Sequence, residues 1–566
     1  MAVAEHPEDK FEGRVRRTRP DLWTVGGTML ALVVASPIVA VVATALAPNE
    51  GIWTHLASTV LPLYLANTAW LMLGVSVGVL VIGIATGWLV SMCRFPGRDV
   101  FEWALLLPVA IPAYVIAFVY TDLLEFAGPV QTALREAFGW QTVRDYWFPD
   151  VRTVGGAVTV MSLVFYPYVY LLGRAAFTSQ SVCLLEASRV LGRGPWHSFF
   201  TVAVPLARPA LVAGLSLALM ETLADFGTVK YFAVSTFTTG IYRVWLDVNE
   251  PAAAQMAATL LGFVLLLVGA ERWSRRKQRF DQTTLRYRAL PGYRLTGWRA
   301  VAAIAACAAP ILFGFVVPAL VLADHALFNL ATGFDDRFLT DLWHSLMLAA
   351  VASVVCIAAA LFLAYGVRLT RSPVLAGLSR FASIGYAVPG SVLAVGVVVP
   401  LARLDHGIDA ISENLFGVST GLIFGGTVFA LVFAYVVRFL ALSNGAVESG
   451  LAKITPNMDA AARTLGERPS GALRRVHLPL IRGSVLAGAI LVFVEVMKEL
   501  PATILLRPFN FQTLATRTYE YASDERIAEA ALPALTIVLA GIIPVILLSA
   551  AIRKSRPGHS GTVSGR

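Results

Sequence analysis

Long apolar runs separated by short polar loops recur from one end of the chain to the other. A membrane-crossing helix needs about 20 predominantly apolar residues, and on that measure the pattern predicts twelve spans. In the first half they fall near residues 22–47, 66–92, 101–121, 155–177, 206–226 and 254–270. In the second half they fall near 299–323, 345–367, 380–402, 417–440, 480–497 and 530–552. The expected fold is an all-α polytopic membrane protein.

The loops alternate in charge. One set is rich in Lys and Arg: Arg94 and Arg98, then Arg189, Arg193 and Arg208, then Arg272, Arg275, Arg276, Lys277 and Arg279. The series continues with Arg368, Arg371 and Arg380, with Lys453, Arg463, Arg468, Arg474, Arg475 and Arg482, and with Arg553, Lys554 and Arg556. The other set mixes signs, as in 122–152 and 403–413. Positive loops stay inside, so both termini are expected in the cytoplasm. Lys10, Arg14, Arg16, Arg17 and Arg19 precede the first run. That run is too long for a cleaved signal peptide and lacks a clear cleavage site, so it reads as an uncleaved span.

The chain also repeats itself. Residues 186–221 shifted by 274 lie on 460–495 without a gap, with 13 identical positions. Among them are Ala187, Arg189, Gly192, Pro195, Pro205 and Glu221, matched by Ala461, Arg463, Gly466, Pro469, Pro479 and Glu495. Such self-similarity marks duplication of a structural unit. Each copy reads as a short helix ending at Gly192 or Gly466, a polar turn and a second amphipathic stretch. A long apolar helix is expected to begin at Pro205 or Pro479. Upstream, Arg94, Pro96 and Pro112 recur as Arg371, Pro373 and Pro389, offset by 277. Six spans separate the copies, so the halves run parallel. The expected division is a basic tail over 1–20, halves over 21–270 and 299–553, a basic linker over 271–298 and a tail over 554–566.

The duplicated stretch resembles the E-A-A-x-x-x-G-x9-I-x-L-P loop of permease subunits in ABC importers. Glu186, Ala187, Ser188, Gly192 and Pro205 match in the first copy; Ala460, Ala461, Ala462, Gly466 and Pro479 stand there in the second. The second copy has Ala460 in place of the glutamate, with Asp459 one residue early. One residue is about 100° of helix rotation, so Asp459 need not make the same contact. The resemblance implies a fused pair of importer permeases whose two loops each dock a separate cytoplasmic ATPase. It also implies a substrate-binding protein on the outer side and a place in the inner membrane of a bacterial cell.

Composition narrows the alternatives. The chain is 57% hydrophobic and 14% charged, against about 25% charged in a soluble domain. The net charge of +9 sits in alternate loops, so it reflects topology rather than nucleic-acid binding. Cys93, Cys183, Cys307 and Cys356 have no paired spacing that would make a disulfide framework or a zinc site. No Lys follows a Gly, so the phosphate-binding loop of an ATPase is absent, and no catalytic motif or cofactor signature stands out. The chain reads as a transport subunit rather than an enzyme.

Four acidic residues fall within or beside apolar runs. Glu221 and Asp225 stand four apart at the end of the fifth span, expected on one helix face, and Glu495 and Glu499 repeat them on the eleventh. Intramembrane carboxylates usually face a bundle interior or a wet pathway. They line a translocation pathway on one reading; on the other they are structural ion pairs with Lys498 or Lys230. Tyr166, Tyr168 and Tyr170 read as packing or interface aromatics. The stretch from Lys498 to Glu525 is similar to that of ferric-iron importer permeases, and offers Glu520, Asp524 and Tyr519 as further oxygen donors. The resemblance implies Fe³⁺ as cargo and an iron-binding protein as partner. Thiamine, a polyamine or an organophosphonate are the alternatives within the same class. A secondary transporter is the alternative outside it, and it gives no reason for two such loops.

Overall fold

The computed structural model describes residues 22–48, 51–179, 190, 192, 194–247, 249–275 and 293–554. The basic tails, Cys183, the run Glu186 to Arg189 and most of the basic linker lie outside these. Among the described residues, twelve helical segments are long and apolar enough to cross a membrane. In the first half they are Trp23–Ala45, Leu61–Met92, Ala113–Phe138, Val154–Thr178, Trp196–Ala224 and Glu250–Glu271. In the second they are Trp298–Phe328, Asp336–Thr370, Gly390–Phe416, Val428–Leu451, Pro469–Met497 and Ile527–Ile546. The chain is an all-α polytopic membrane protein.

Several expected boundaries shift, each for a local reason. The third and ninth spans are broken at equivalent prolines. Helix Arg98–Ala104 and a 3-10 turn Leu107–Ala110 precede Ala113–Leu124, and helix Pro373–Ala382 and a 3-10 turn Ser383–Ala387 precede Gly390–Phe416. Ile111 and Val388, just before Pro112 and Pro389, are extended, as the residue before a proline tends to be. The tenth span begins at Val428, not 417. The apolar stretch before it is a loop held by two carboxylates of the ninth span. Asp405 accepts from the backbone of Ile423, Phe424 and Gly425, and Asp409 from Thr420 and Gly421.

The fifth and eleventh spans do not start at Pro205 and Pro479. They start at Pro195 and Pro469 and run on through a π turn, Phe199–Ala203 or Leu473–His477. Val204 and Leu478 donate five residues back, to Phe199 and Leu473. A proline in a helix lacks a donor and pushes against the carbonyl four residues earlier. The wider π turn just ahead of each proline relieves both demands, so the helix continues.

Packing crosses the repeat. One core joins the second to fifth spans with the seventh and twelfth. The other joins the eighth to eleventh with the first and sixth. Each half thus lends its two outermost spans to the other. Without a hydrophobic drive between helices in lipid, close contact rests on small residues. A Cβ at Gly396 would lie 2.4 Å from the Pro37 carbonyl oxygen of the first span; one at Gly541 would lie 2.4 Å from that of Ala110. The end of the linker joins in as well: Tyr293–Arg294 pairs in parallel with Cys93–Arg94.

The exchange of outer spans predicts that neither half is a folding unit. Residues 1–275 expressed alone should be degraded or elute as aggregate, and co-expression with 293–566 should yield a copurifying complex. A stable, monodisperse 1–275 fragment would contradict the exchanged packing.

Candidate functional site

Two places gather the residues singled out in the sequence. The first is the duplicated loop. Helix Pro456–Thr464 carries Asp459, Ala460, Ala461, Ala462 and Arg463. It closes in a Schellman motif: Gly466 N–H donates to the Arg463 carbonyl and Glu467 N–H to that of Ala462, each at 3.0 Å. Gly466 has φ +83° and Gly192 has φ +73°. An added Cβ would meet nothing at either glycine, so backbone conformation rather than space calls for glycine there. Ala460, Ala461, Arg463 and Gly466 are exposed, as are Gly192, Pro205 and Pro479, whereas Ala462 is buried.

Asp459 does not point outward. Its carboxylate accepts from Arg368 Nη2 at 2.8 Å and pairs with His477 Nε2 at 2.7 Å. Arg368 also donates to the carbonyls of Leu451 and Ile454. Burial works to raise the Asp459 pKa, but Arg368 and His477 together hold it below the usual carboxylate range. Asp459 ties the loop helix to the eighth and eleventh spans of its own half.

The second place is a cavity of about 90 Å³ at the breaks in the third, fifth and eleventh spans. All four carboxylates, Glu221, Asp225, Glu495 and Glu499, line it, together with Arg438, Lys498, Tyr114 and Tyr168. Glu221 and Asp225 do not share a helix face, because the fifth span ends at Ala224 and Asp225 is extended. Glu499 likewise lies beyond the eleventh span, which ends at Met497. The reason is the same in both halves. The Asp225 carboxylate accepts from the N–H groups of Thr228 and Val229 and the Thr228 hydroxyl, starting the short helix Gly227–Tyr231. Glu499 accepts from Ala502 and Thr503 N–H, each at 2.9 Å, and from the Thr503 hydroxyl, starting Pro501–Leu506. A new helix has four unpaired donors at its start, and these two side chains satisfy some of them.

Glu499 also pairs with Arg438, Nη1 to Oε1 at 3.1 Å. Glu495 pairs with Lys498 at 2.9 Å, and Glu221 accepts from the Tyr386 hydroxyl at 2.8 Å. Among the described residues no three His, Cys, Asp or Glu side chains form a group that could hold a metal ion. The cavity is acidic, but it is not a ligand cage.

Residues 79–280 and 357–556 each match the family described as the binding-protein-dependent transport system inner membrane component. The chain belongs to this family. The Fe(3+)-transport system permease protein FbpB 2 of Haemophilus influenzae is 27% identical, with 86% of this chain and 89% of that one aligned. A probable ABC transporter permease, y4fN of Sinorhizobium fredii, is 25% identical over 88% and 89%. The molybdenum transport permease ModB of Escherichia coli is 26% identical over 35% of this chain and 86% of its own. The chain is a fused two-half permease of an ABC importer, and permeases of this family work with an ATPase and a substrate-binding protein.

Three residues of the permease cavity escaped the sequence reading. Arg438 is a lone charge in an apolar run of the tenth span, a signal in itself, but it has no duplicate: Val164 stands at the matching position. Tyr114 follows the Pro112 break. Tyr168 packs against the first-half core, as expected, and also lines the cavity, while Tyr166 and Tyr170 are buried and Tyr170 donates to the Glu102 carbonyl. The extra donors expected after the eleventh span do not join the cavity. Glu520 pairs with Arg507 and accepts from Gln512, Tyr519 packs on Phe226, and Asp524 caps helix Leu514–Ser523.

The helix-starting role predicts that Asp225→Ala and Glu499→Ala act on stability. Each leaves buried donors unpaired, a cost of about 1–3 kcal/mol. Thermal unfolding of the purified permease should show a lowered midpoint for both, with Glu221→Ala closer to wild type.

Proposed function

We propose that this permease carries ferric iron across the inner membrane, driven by two copies of a separate ATPase and fed by an iron-binding protein. The observation that carries the reading is the acidic lining of the cavity, with Glu221 and Glu495 as equivalent residues of the two halves. Asp225 and Glu499 are committed to helix donors; Glu221 and Glu495 are held by one tyrosine and one lysine. Those two are the carboxylates best placed to meet a hard cation. Alignment with the Fe(3+) permease over most of both chains supports the same cargo. The molybdenum and sulfate transport permeases, named for other cargo, align with about a third of this chain. A site for an anion alone would call for a cationic lining, whereas here four carboxylates face two cationic side chains.

In this reading both duplicated loops and both termini face the cytoplasm. Glu186 with Ala187, Ser188 and Arg189 in the first loop, and the exposed face of Pro456–Thr464 in the second, meet the ATPases. Closure of the ATPase pair draws the loops together. The exchanged outer spans make the halves move as two bodies about the cavity between them.

Two experiments test it. Glu221→Gln combined with Glu495→Gln should lower binding-protein-dependent ⁵⁵Fe³⁺ uptake into vesicles at least tenfold, with insertion and ATPase stimulation unchanged. Normal iron import by the stable double variant would remove these residues from the pathway. For orientation, reporters fused after Lys277 and after Arg556 should report cytoplasm, and one near Asp145 the outer side. An outside report at Lys277 would reverse the assignment.

A further inference from the structure

The far end of the ninth span has no work in the reading above. Helix Gly390–Phe416 starts beside the cavity, where a Cβ at Gly390 would lie 2.5 Å from Arg438 Nη1. Counted from Val428 at 1.5 Å per residue, Arg438 stands about 15 Å into the tenth span, half the ~30 Å hydrocarbon thickness. Gly390 is therefore near the middle of the bilayer. From there the ninth span rises 27 residues, about 40 Å, of which only about 15 Å is needed to leave the hydrocarbon. A bend of ~25° at Pro400 would shorten the reach by about a tenth. The last turns, from Ile411 to Phe416, thus stand clear of the lipid core by roughly 15–20 Å.

This projection lies on the face opposite the duplicated loops. The tenth span connects the two: it begins at Val428, after the projection, and at its other end the Leu451 carbonyl accepts from Arg368 beside Asp459. Residues 417–427 fold back along the ninth span. The Ser412 hydroxyl donates to the Val418 carbonyl at 2.8 Å, Asp409 accepts from the Ser419 hydroxyl and Thr420 N–H, and Asp405 accepts from Gly425 N–H. Polar groups thus fasten the loop to its own helix, and large apolar side chains are left outside. Ile411 is 60% exposed, Leu415 69%, Phe416 77%, Val418 59% and Leu422 58%. Apolar side chains concentrated on one feature that lipid does not cover mark a protein contact. Among the described residues the first half has no counterpart, since its third span ends at Leu124, about 18 Å after it resumes at Ala113.

We propose that this projection is a docking post for the substrate-binding protein, with Leu415 and Phe416 entering an apolar hollow on that partner. The inference rests on the importer reading above and not on the cargo. Three observations select the occupant. The family is binding-protein-dependent, so a partner must be received on the face away from the ATPases. The membrane is out of reach of the tip. The helix that carries the tip begins at Gly390 against the Arg438–Glu499 pair, so a partner seated on it holds the outer end of a rigid element whose inner end touches the cavity. Because the loop is already fastened, docking orders little new chain, and a few exposed apolar anchors can carry most of the affinity.

The test titrates purified binding protein, the one that supports uptake in the vesicle assay, against the full-length permease with its ATPase in nanodiscs, and reads ATP turnover. Leu415→Asp and Phe416→Asp should each raise the half-saturating concentration of binding protein at least tenfold, with maximal turnover unchanged; a merely structural role would lower the maximum instead. A photoreactive benzoylphenylalanine at Phe416 should crosslink to the added binding protein. That measurement needs no charged residue at the tip and stands if the Asp variants fail to insert. An unchanged half-saturation, or crosslinks to lipid or to a second copy of this chain in place of the binding protein, would overturn the docking post and leave the importer reading standing. Wild-type turnover that no concentration of binding protein alters would overturn the importer reading, and the docking post with it.

Discussion

Unpaired backbone in the middle of a membrane protein is the constraint from which the cavity follows. A span can stop inside the bundle only if the donors and acceptors it releases find partners there. Here two spans stop, after Ala224 and after Met497, and in both halves a carboxylate a residue or two further on collects the donors of the next helix. The prolines at 112 and 389 break two further spans. Space for a solute exists where the breaks after Ile111, Ala224 and Met497 meet. The acidic residues that look from the sequence like one set of four are therefore two sets with different work. One set permits the cavity; the other faces it.

That division was beyond the reach of spacing alone. An Asp four residues after a Glu lies on the same face only while the helix lasts, and nothing in the run Glu221-Thr222-Leu223-Ala224-Asp225 announces the stop. The stop is decided by Thr228 and Val229, whose donors compete for the side chain. The tenth span misled for the opposite reason. Residues 417–427 are apolar enough to pass as membrane, and the two aspartates that bind the loop backbone sit in the preceding helix. By contrast the number of spans, the duplication and the glycine at 466 that ends the loop helix were legible, because each leaves a repeated or periodic trace.

Duplication guided the reading well where both copies share a role and hid what they do not share. Arg438 and the Asp459–His477 pair have no mates in the sequence, since Val164, Leu185 and Ala203 stand at the corresponding positions. The second loop is consequently clamped to its own half by a buried histidine and an arginine, through a carboxylate whose family counterpart in the first loop is one residue later.

The exchange of outer spans then makes a fused chain reasonable. With the first and sixth spans packed on the second half, and the seventh and twelfth on the first, each core is complete only when both halves are present. A covalent linker raises the effective concentration of one half around the other. It also fixes a one-to-one pairing of unlike copies, which a cavity lined by one Arg438 and one Tyr114 requires. Two identical halves would bring either two such arginines or none. The asymmetric lining and the single chain are two expressions of the same arrangement.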